Sequence, residues 1–327
     1  MQNADNMKKW IRILLCFFIC LQMFPPILVL DITSLRHFLI ALFDIVAIGV
    51  VIYYSFWQKK DILPSTIFTK NPLIPIWLLL IIYMGVSISW AINPIEGFAV
   101  WNRWILIFLA MIISIGFMLK DNHAMKNLII CTLVIATINV LSCIICYYVF
   151  DVHISQRNNL KLNGFYGNKN IFAVALLFKL PFLYYAFLRF KKFIRYYSLF
   201  LIFAISFCLV ILSTRSSFIG LFVQLALLAF YGIFYKIKSR KLSIIFKHSR
   251  LYLLICVVGV AGFILGDAFL KYNFNHYSRV KTNNYSIEAR VNSIAEGNSK
   301  GRLLIWKNTS QIIKQSPFIG YGVGNHK

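Results

Sequence analysis

The sequence predicts an all-α polytopic membrane protein, and two observations carry that prediction. Of its 327 residues, 60% are hydrophobic and only 13% are charged, whereas soluble domains carry about 25% charged residues. The apolar residues are gathered into runs of about twenty, the length that an α-helix needs to cross a hydrocarbon layer of roughly 30 Å. The formal net charge is +24, but the basic residues lie in short segments between the runs. That distribution disfavours a nucleic-acid-binding protein.

The apolar runs predict about nine transmembrane helices. The first run follows Lys8, Lys9 and Arg12, and no small-residue cleavage site follows it, so we expect a retained span rather than a signal peptide. Residues 1–270 form the predicted transmembrane helical bundle. A large helical extracytoplasmic loop is predicted to begin with residues 271–327, and we expect this loop to be incomplete. The nine predicted spans cover residues 11–30, 38–57, 73–92, 104–119, 128–150, 171–188, 197–213, 216–235 and 251–270.

The distribution of lysine and arginine between the loops predicts the orientation. With the N-terminus in the cytoplasm, eighteen basic residues lie in the inside loops and six in the short outside loops. Basic residues are enriched in cytoplasmic loops, so this asymmetry fits a multi-pass protein of the bacterial inner membrane with residue 327 outside. The six outside residues are Arg36, Arg103, Arg157, Lys161, Lys169 and Arg215.

Four polar side chains fall inside predicted spans. Such residues usually face the interior of a helical bundle and pair with another polar group. Lys179 also precedes Pro181 by two residues, which predicts a kink in that helix. The four residues are Asp44, Asn139, Lys179 and Gln224.

Arg215 lies in a tight turn between two uncharged apolar runs, residues 197–212 and 218–235. Arginine is costly at membrane depth, and two hypotheses account for it here. The first is an interfacial arginine that caps the turn and extends its side chain to the membrane surface. The second is an anion-binding arginine held at a fixed height above the membrane.

The tail predicts a second arginine site. Ile287, Val291 and Ile294 favour a short amphipathic helix, and a second helix is expected from Gly301 to Pro317. Arg302 falls in the first turn of that second helix, where free N–H groups and the positive end of the helix dipole favour anions. Two planar guanidinium groups could hold a diphosphate in bidentate fashion and stabilise the charge on a departing diphosphate.

The segments around both arginines resemble the O-antigen ligase and O-antigen polymerase superfamily. The resemblance spans roughly residues 75–327. It is carried by three stretches: Leu212 to Gly220, the GFYGNKNIFA stretch from Gly164 to Ala173, and Arg302-(x3)-Trp306-(x10)-Pro317-(x2)-Gly320-x-Gly322-x-Gly324.

The resemblance implies a membrane glycosyltransferase that works without a metal or other cofactor in polysaccharide and lipopolysaccharide biosynthesis. It would transfer a glycan from an undecaprenyl-diphosphate-linked donor to a lipid A-core or glycan acceptor, at the outer face of the inner membrane. Arg215 and Arg302 would stabilise the donor diphosphate. The implied substrate-binding residues are Asn168, Asn170, Trp306, Gly322 and Gly324.

The chain departs from this family in one respect. The family carries a His-Asn pair further into the outer loop, with the histidine as general base, followed by more spans. His326 lies too close to the glycines to match that histidine, so no general base is assigned. We expect a fragment or truncated product that transfers no glycan on its own.

Two other functions are compatible with the same arginines. One is a transporter or flippase that moves a lipid-linked sugar, and the other is a non-catalytic remnant. A flippase needs charged residues along a path through the membrane, and the only deep charged residues in the sequence are Asp44 and Lys179. Ligase and polymerase activities stay open alternatives.

Overall fold

The computed structural model describes residues 2–21, 32–59, 72–121, 123–150, 161–238, 242–277, 300–317 and 320–323. Every regular element in these ranges is a helix, as the all-α prediction requires. The α-helices are α1 (Gln2–Cys20), α2 (Ile32–Ile52), α3 (Leu73–Ser87), α4 (Pro94–Lys120), α5 (Ala124–Val149), α6 (Lys169–Leu177), α7 (Leu180–Arg189), α8 (Lys192–Leu212), α9 (Arg215–Lys238), α10 (Leu242–Tyr277) and α11 (Lys300–Gln315). Short turns of other helix types cover Tyr53–Trp57, Ile88–Trp90 and Gly164–Tyr166.

Among the described residues, eight helical stretches are long and apolar enough to cross a membrane. Each corresponds to one of the eight predicted spans that follow residue 30. The first predicted span, 11–30, includes residues that lie outside the described ranges, so the total of nine stays a prediction. The eight stretches are Leu35–Trp57, Leu73–Trp90, Pro94–Leu119, Ala124–Val149, Lys169–Arg189, Lys192–Leu212, Arg215–Gly232 and Arg250–Asn273.

The described helices divide into two compact units. The first contains α1 to α4, the first turn of α5, and α11. Its largest buried cluster forms where α1 packs against α2 and α4, and it includes Ile11 and Leu15 of α1, Phe43 of α2 and Phe117 of α4. The rings of Phe18 and Phe43 contribute a contact with their centroids 4.8 Å apart. The buried side of α1 therefore matches the apolar sides of two spanning helices.

An ion pair joins the middle of α1 to the C-cap residue of α4. Arg12 Nε donates to Asp121 Oδ2 at 2.6 Å, and Arg12 Nη2 donates to Asp121 Oδ1 at 3.2 Å. The Asp121 side chain is only 1% exposed. The hydrogen bond from Arg12 holds the pKa of the Asp121 carboxyl below its ordinary value, against the opposing effect of burial, and the backbone N–H of His123 also contributes.

The second unit is built around α8 and contains α6, α7, α9, α10 and the remainder of α5. The last five residues of α8, from Cys208 to Leu212, are all buried. Gly262 and Gly266 of α10 face this helix. A Cβ at Gly266 would lie 3.0 Å from the Cβ of Val210, and a Cβ at Gly262 would overlap the carbonyl oxygen of Phe203. Small residues four apart let two helices approach closely inside a membrane.

The Arg12–Asp121 ion pair bears on topology, because both residues must lie at the same membrane surface. Three described spans separate Leu35 from Leu119, and an odd number of crossings would place the two residues on opposite sides. We therefore predict one further crossing between Arg12 and Leu35, with the N-terminus inside. Reporter fusions after residues 60, 125, 193 and 243 should report cytoplasm, and fusions after 160 and 290 should report the outer side. An outside signal at 243 would exclude this topology.

Replacement of Asp121 should destabilise the first unit in a pH-dependent way. Asp121→Asn removes a charge-assisted hydrogen bond, which typically contributes about 1.5–3 kcal/mol, so the unfolding midpoint of the purified protein should fall near neutral pH. Because folding lowers the Asp121 pKa, this contribution is complete above the unfolded-state pKa of about 3.9 and disappears as the pH falls through the folded-state value. Variant and parent should therefore converge in strong acid.

A matched control is Asp267→Asn, which removes an i,i+4 pair of 2.7 Å with Lys271, whose side chain is half exposed. Exposed pairs of this kind contribute about 0–1 kcal/mol. Equal losses in the two variants at neutral pH would show that the Arg12–Asp121 pair has no special role.

Candidate functional site

The turn between α8 and α9 is held by its own polar side chains. Ser213 has a left-handed backbone (φ +51), and its N–H donates to the carbonyls of Leu209 at 3.1 Å and Val210 at 2.9 Å. Ser217 Oγ donates to the Thr214 carbonyl at 2.8 Å, and the two hydroxyls are hydrogen-bonded to each other. Ser213, Thr214 and Ser217 are buried. The turn therefore has one well-determined shape with few alternatives.

Arg215 is the first residue of α9, and its side chain is exposed. The first N–H groups of a helix lack intrahelical acceptors and carry the positive end of the helix dipole. An arginine at this position adds a planar cation to the same region, which suits a phosphate group better than either feature alone. The geometry is compatible with both hypotheses for Arg215, the interfacial cap and the anion site.

A second helix start belongs to the same unit. The Gly164–Tyr166 turn is followed by Gly167 with φ +69 and by Asn168, whose side-chain oxygen accepts from the Asn170 N–H at 2.8 Å. Asn168 is therefore the N-cap of α6, as the sequence suggested for this loop. The Asn168 and Asn170 side chains are exposed. At Gly164, a Cβ would lie 2.9 Å from the ring of Phe172, so this position requires glycine.

The predicted topology has α6 and α9 both begin at the outer side of the membrane. The two helices meet where Gly220 contacts Leu177 and where Gln224 Nε2 donates to the Leu177 carbonyl at 3.3 Å. At a rise of 1.5 Å per residue, Lys169 lies about 12 Å before Leu177, and Arg215 lies about 10 Å before the centre of this contact. The N-terminus of α6 and the N-terminus of α9 thus reach about the same level.

The span that contains α6 is broken in the middle, as Pro181 predicted. α6 ends at Leu177 and α7 begins at Leu180, which frees backbone carbonyls at membrane depth. Lys179 Nζ donates to the Ala175 carbonyl at 2.8 Å, while Gln224 binds the Leu177 carbonyl. Lys179 and Gln224 therefore stabilise the helix break, because polar backbone groups in a bilayer need internal partners.

Tyr166 connects the outer loop to this break. Its hydroxyl accepts from Asn139 Nδ2 at 3.0 Å and lies 3.4 Å from Lys179 Nζ. Asn139 is completely buried, and Tyr166 and Lys179 are nearly so. Sequence reasoning identified Asn139 and Lys179 but not their shared partner, because Tyr166 is 27 residues from one and 13 from the other. The sequence signal that could have pointed to Tyr166 is its position between Gly164 and Gly167.

Asp44 differs from the other deep polar residues. It is 2% exposed, so it faces the interior of the first unit as expected. Neither of its carboxylate oxygens has a hydrogen-bond partner among the described residues. The expectation that each deep polar residue would pair is therefore wrong for Asp44, and the structure offers no explanation for it.

The remaining predicted site residues belong to the tail. Arg302 lies in the first turn of α11, as predicted, but its side chain lies outside the described part of the chain. Its proximity to Arg215 stays a prediction, since the two residues belong to different compact units. The Trp306 side chain is 68% exposed. Gly324 also lies outside the described residues.

Gly322 has a structural reason to be glycine. Its φ is +85, and a Cβ there would lie 2.7 Å from both the Ser87 carbonyl oxygen and the Ala91 Cα. The glycine-spaced segment therefore packs closely on the end of a spanning helix. Within the described residues, no three histidine, cysteine, aspartate or glutamate side chains are placed to hold a metal ion.

Comparison with known proteins agrees with the chemistry of this turn. Residues 199–327 match the family model described as O-antigen ligase, a region that contains most of α8, all of α9 and α10, and α11. No curated protein and no solved structure matches the chain significantly. Over residues 199–327, the chain is therefore similar to the O-antigen ligase family.

Proposed function

We propose that this protein binds an undecaprenyl-diphosphate-linked donor for the transfer of its glycan to a lipid A-core or glycan acceptor, at the outer face of the inner membrane. The observation that carries the proposal is the position of Arg215. It is an exposed arginine at the N-terminus of a spanning helix, and Ser213, Thr214 and Ser217 of the same turn are buried and hydrogen-bonded. Ligase and polymerase activities are both compatible with this position.

The donor would approach this turn from within the bilayer. Its lipid tail would lie against the apolar outer surfaces of the spans, and its diphosphate would reach the membrane surface beside α9. Guanidinium groups bind phosphate oxygens in bidentate fashion at a defined orientation. The N-terminus of α6 lies at about the same level, so the exposed amides of Asn168 and Asn170 are available for sugar hydroxyls on the same surface.

In the transfer step, an acceptor hydroxyl oxygen forms a bond to the anomeric carbon while the bond from that carbon to the diphosphate oxygen breaks. Negative charge accumulates on the departing diphosphate. Arg215, and Arg302 if it reaches the same region, would stabilise that charge more strongly in the transition state than in the bound donor, which is how electrostatic catalysis lowers a barrier.

The acceptor proton must pass to a base, and the candidate site does not contain one. Residues 161–238 include no aspartate, glutamate or histidine. The base would therefore have to come from another part of the protein or from the acceptor complex. A positioned base contributes typically 10²–10⁴-fold to such a step, so donor binding and transfer are separable properties of this site.

The flippase alternative has less support. It needs polar side chains along a path through the membrane, whereas Lys179 and Gln224 bind backbone carbonyls at the α6–α7 break. These hydrogen bonds already explain why two polar side chains lie at membrane depth beside the helix break.

Donor binding tests the role of Arg215 directly. Arg215→Ala should weaken binding of a lipid-linked diphosphate donor to the purified protein in nanodiscs by about 10–100-fold. That range corresponds to the loss of one charge-assisted contact of about 1.5–3 kcal/mol. Arg215→Lys should recover part of the affinity, since it keeps the charge but cannot bind in bidentate fashion. Arg302→Ala should weaken binding to a similar extent.

The control is Arg189→Ala, in the last turn of α7 at the opposite end of the span. It changes the net charge by the same amount and should leave donor affinity within about twofold, because its distance from the outer surface leaves only screened interactions. Equal affinity in the parent, Arg215→Ala and Arg302→Ala proteins would exclude the arginines as the diphosphate site.

A further inference from the structure

The tail helix α11 presents an amphipathic surface that other described helices do not cover. Five large apolar side chains are exposed at 43–68% of their area. The spacing of i, i+1, i+7 and i+8 places four of them on one side of the helix, and Leu304 lies on the other side. Lys307 and Lys314 are also exposed and lie seven residues apart, on the opposite side. The four apolar residues are Ile305, Trp306, Ile312 and Ile313.

The segment after α11 is attached to the loop between the spans Leu73–Trp90 and Pro94–Leu119. Gly320 N–H donates to the Ser316 carbonyl at 3.2 Å, and Ser316 Oγ donates back to the Gly320 carbonyl at 3.1 Å. Two residues later, Gly322 lies so close to Ser87 and Ala91 that a Cβ would overlap them. The residues from 320 onward are thereby held against the turn that joins the spans Leu73–Trp90 and Pro94–Leu119.

The contact is close on both sides. A Cβ at Gly97, in the first turn of α4, would lie 2.9 Å from the Val323 carbonyl oxygen. Gly97 and Gly322 therefore each allow the tail and the loop to approach closely, Gly97 against Val323 and Gly322 against Ser87 and Ala91. Larger residues at either position would separate the tail from the loop.

This attachment fixes the height of α11. Gly322 follows Gln315, the last residue of α11, by only seven positions, and a fully extended chain of that length spans about 25 Å. The hydrogen-bonded turn between Ser316 and Gly320 shortens the distance further. The C-terminal end of α11 is thus held near the ends of two spanning helices, at the boundary of the bilayer.

We propose that α11 lies in the plane of the outer membrane interface, with Ile305, Trp306, Ile312 and Ile313 inserted among the lipids and the two lysines facing water. Helices with one apolar and one basic side bind membranes in this orientation, with the apolar side about 5–10 Å deep. Tryptophan is enriched at that depth, because its ring is apolar and its N–H is polar. The occupant of the exposed apolar side is therefore the bilayer itself.

The interfacial placement itself is independent of the proposed function, and its test below does not use a donor.

Site-directed spin labels distinguish the possible surroundings of α11. Ile313→Cys and Lys314→Cys would be prepared in the full chain with its seven native cysteines replaced by alanine, and reconstituted in nanodiscs of phosphatidylethanolamine and phosphatidylglycerol. The label at 313 should be severalfold more accessible to oxygen than to a water-soluble nickel complex, and the label at 314 should show the reverse. Low accessibility of 313 to both reagents would mean that protein covers this side, and a pattern equal to that of 314 would mean that water does. Either result would overturn the proposal.

A second measurement keeps the native cysteines. Brominated lipids should quench more fluorescence in the parent protein than in Trp306→Phe, since the lost component comes from a lipid-exposed indole. Equal quenching of the two proteins would overturn the proposal.

The spin-label variant with Gly322→Ala added tests the attachment, because the new Cβ should release the tail and make position 313 more accessible to the nickel complex. Unchanged accessibility would show that the contact with Ser87 and Ala91 does not set the height of the helix.

Discussion

The bilayer interior offers no water to hydrogen-bond an exposed backbone group, and the second unit depends on how the chain meets that constraint. Where α6 ends and α7 begins, the Ala175 carbonyl is bound by Lys179 and the Leu177 carbonyl by Gln224. These bonds also decide the geometry of the outer surface. Gln224 joins α9 to α6, so the starts of the two helices are held at matching levels, and Tyr166 ties the loop before α6 to the same break.

Close helix packing also holds the turn in which Arg215 lies. Gly262 and Gly266 bring α10 against α8, and the buried end of α8 leads directly into the left-handed Ser213. The arginine itself is exposed, whereas Ser213, Thr214 and Ser217 of the same turn are buried. A rigid base with one exposed cation is the arrangement expected of a binding residue, because less side-chain and backbone freedom is lost when the ligand arrives.

Local patterns in the sequence predicted most of the fold. Hydrophobic runs located eight spans, Pro181 located the helix break, and the Asn168 cap followed from the asparagines before an apolar stretch. These features depend on neighbouring residues alone. The partnership of Tyr166 with Asn139 and Lys179, and the contact of Gly322 with Ser87, join positions far apart in sequence, and no local pattern encodes such a pairing. The family resemblance implied a substrate-binding role for Gly322, and its close packing on Ser87 and Ala91 also explains the lack of a side chain. For Asp44, the sequence predicted the burial correctly, but it did not predict that the carboxylate has no hydrogen-bond partner among the described residues.

The Arg12–Asp121 ion pair also constrains how the protein is made. The two residues are 109 positions apart, and a ribosome that adds about 5–20 residues per second needs roughly 5–20 s to synthesise the intervening chain. The first helix therefore leaves the ribosome before its ionic partner exists. Asp121 is synthesised only after the three spans between Leu35 and Leu119, so the ion pair closes the first unit at a late stage of insertion. A ribosome that pauses near residue 121 would prolong the period in which Arg12 has not yet met this carboxylate.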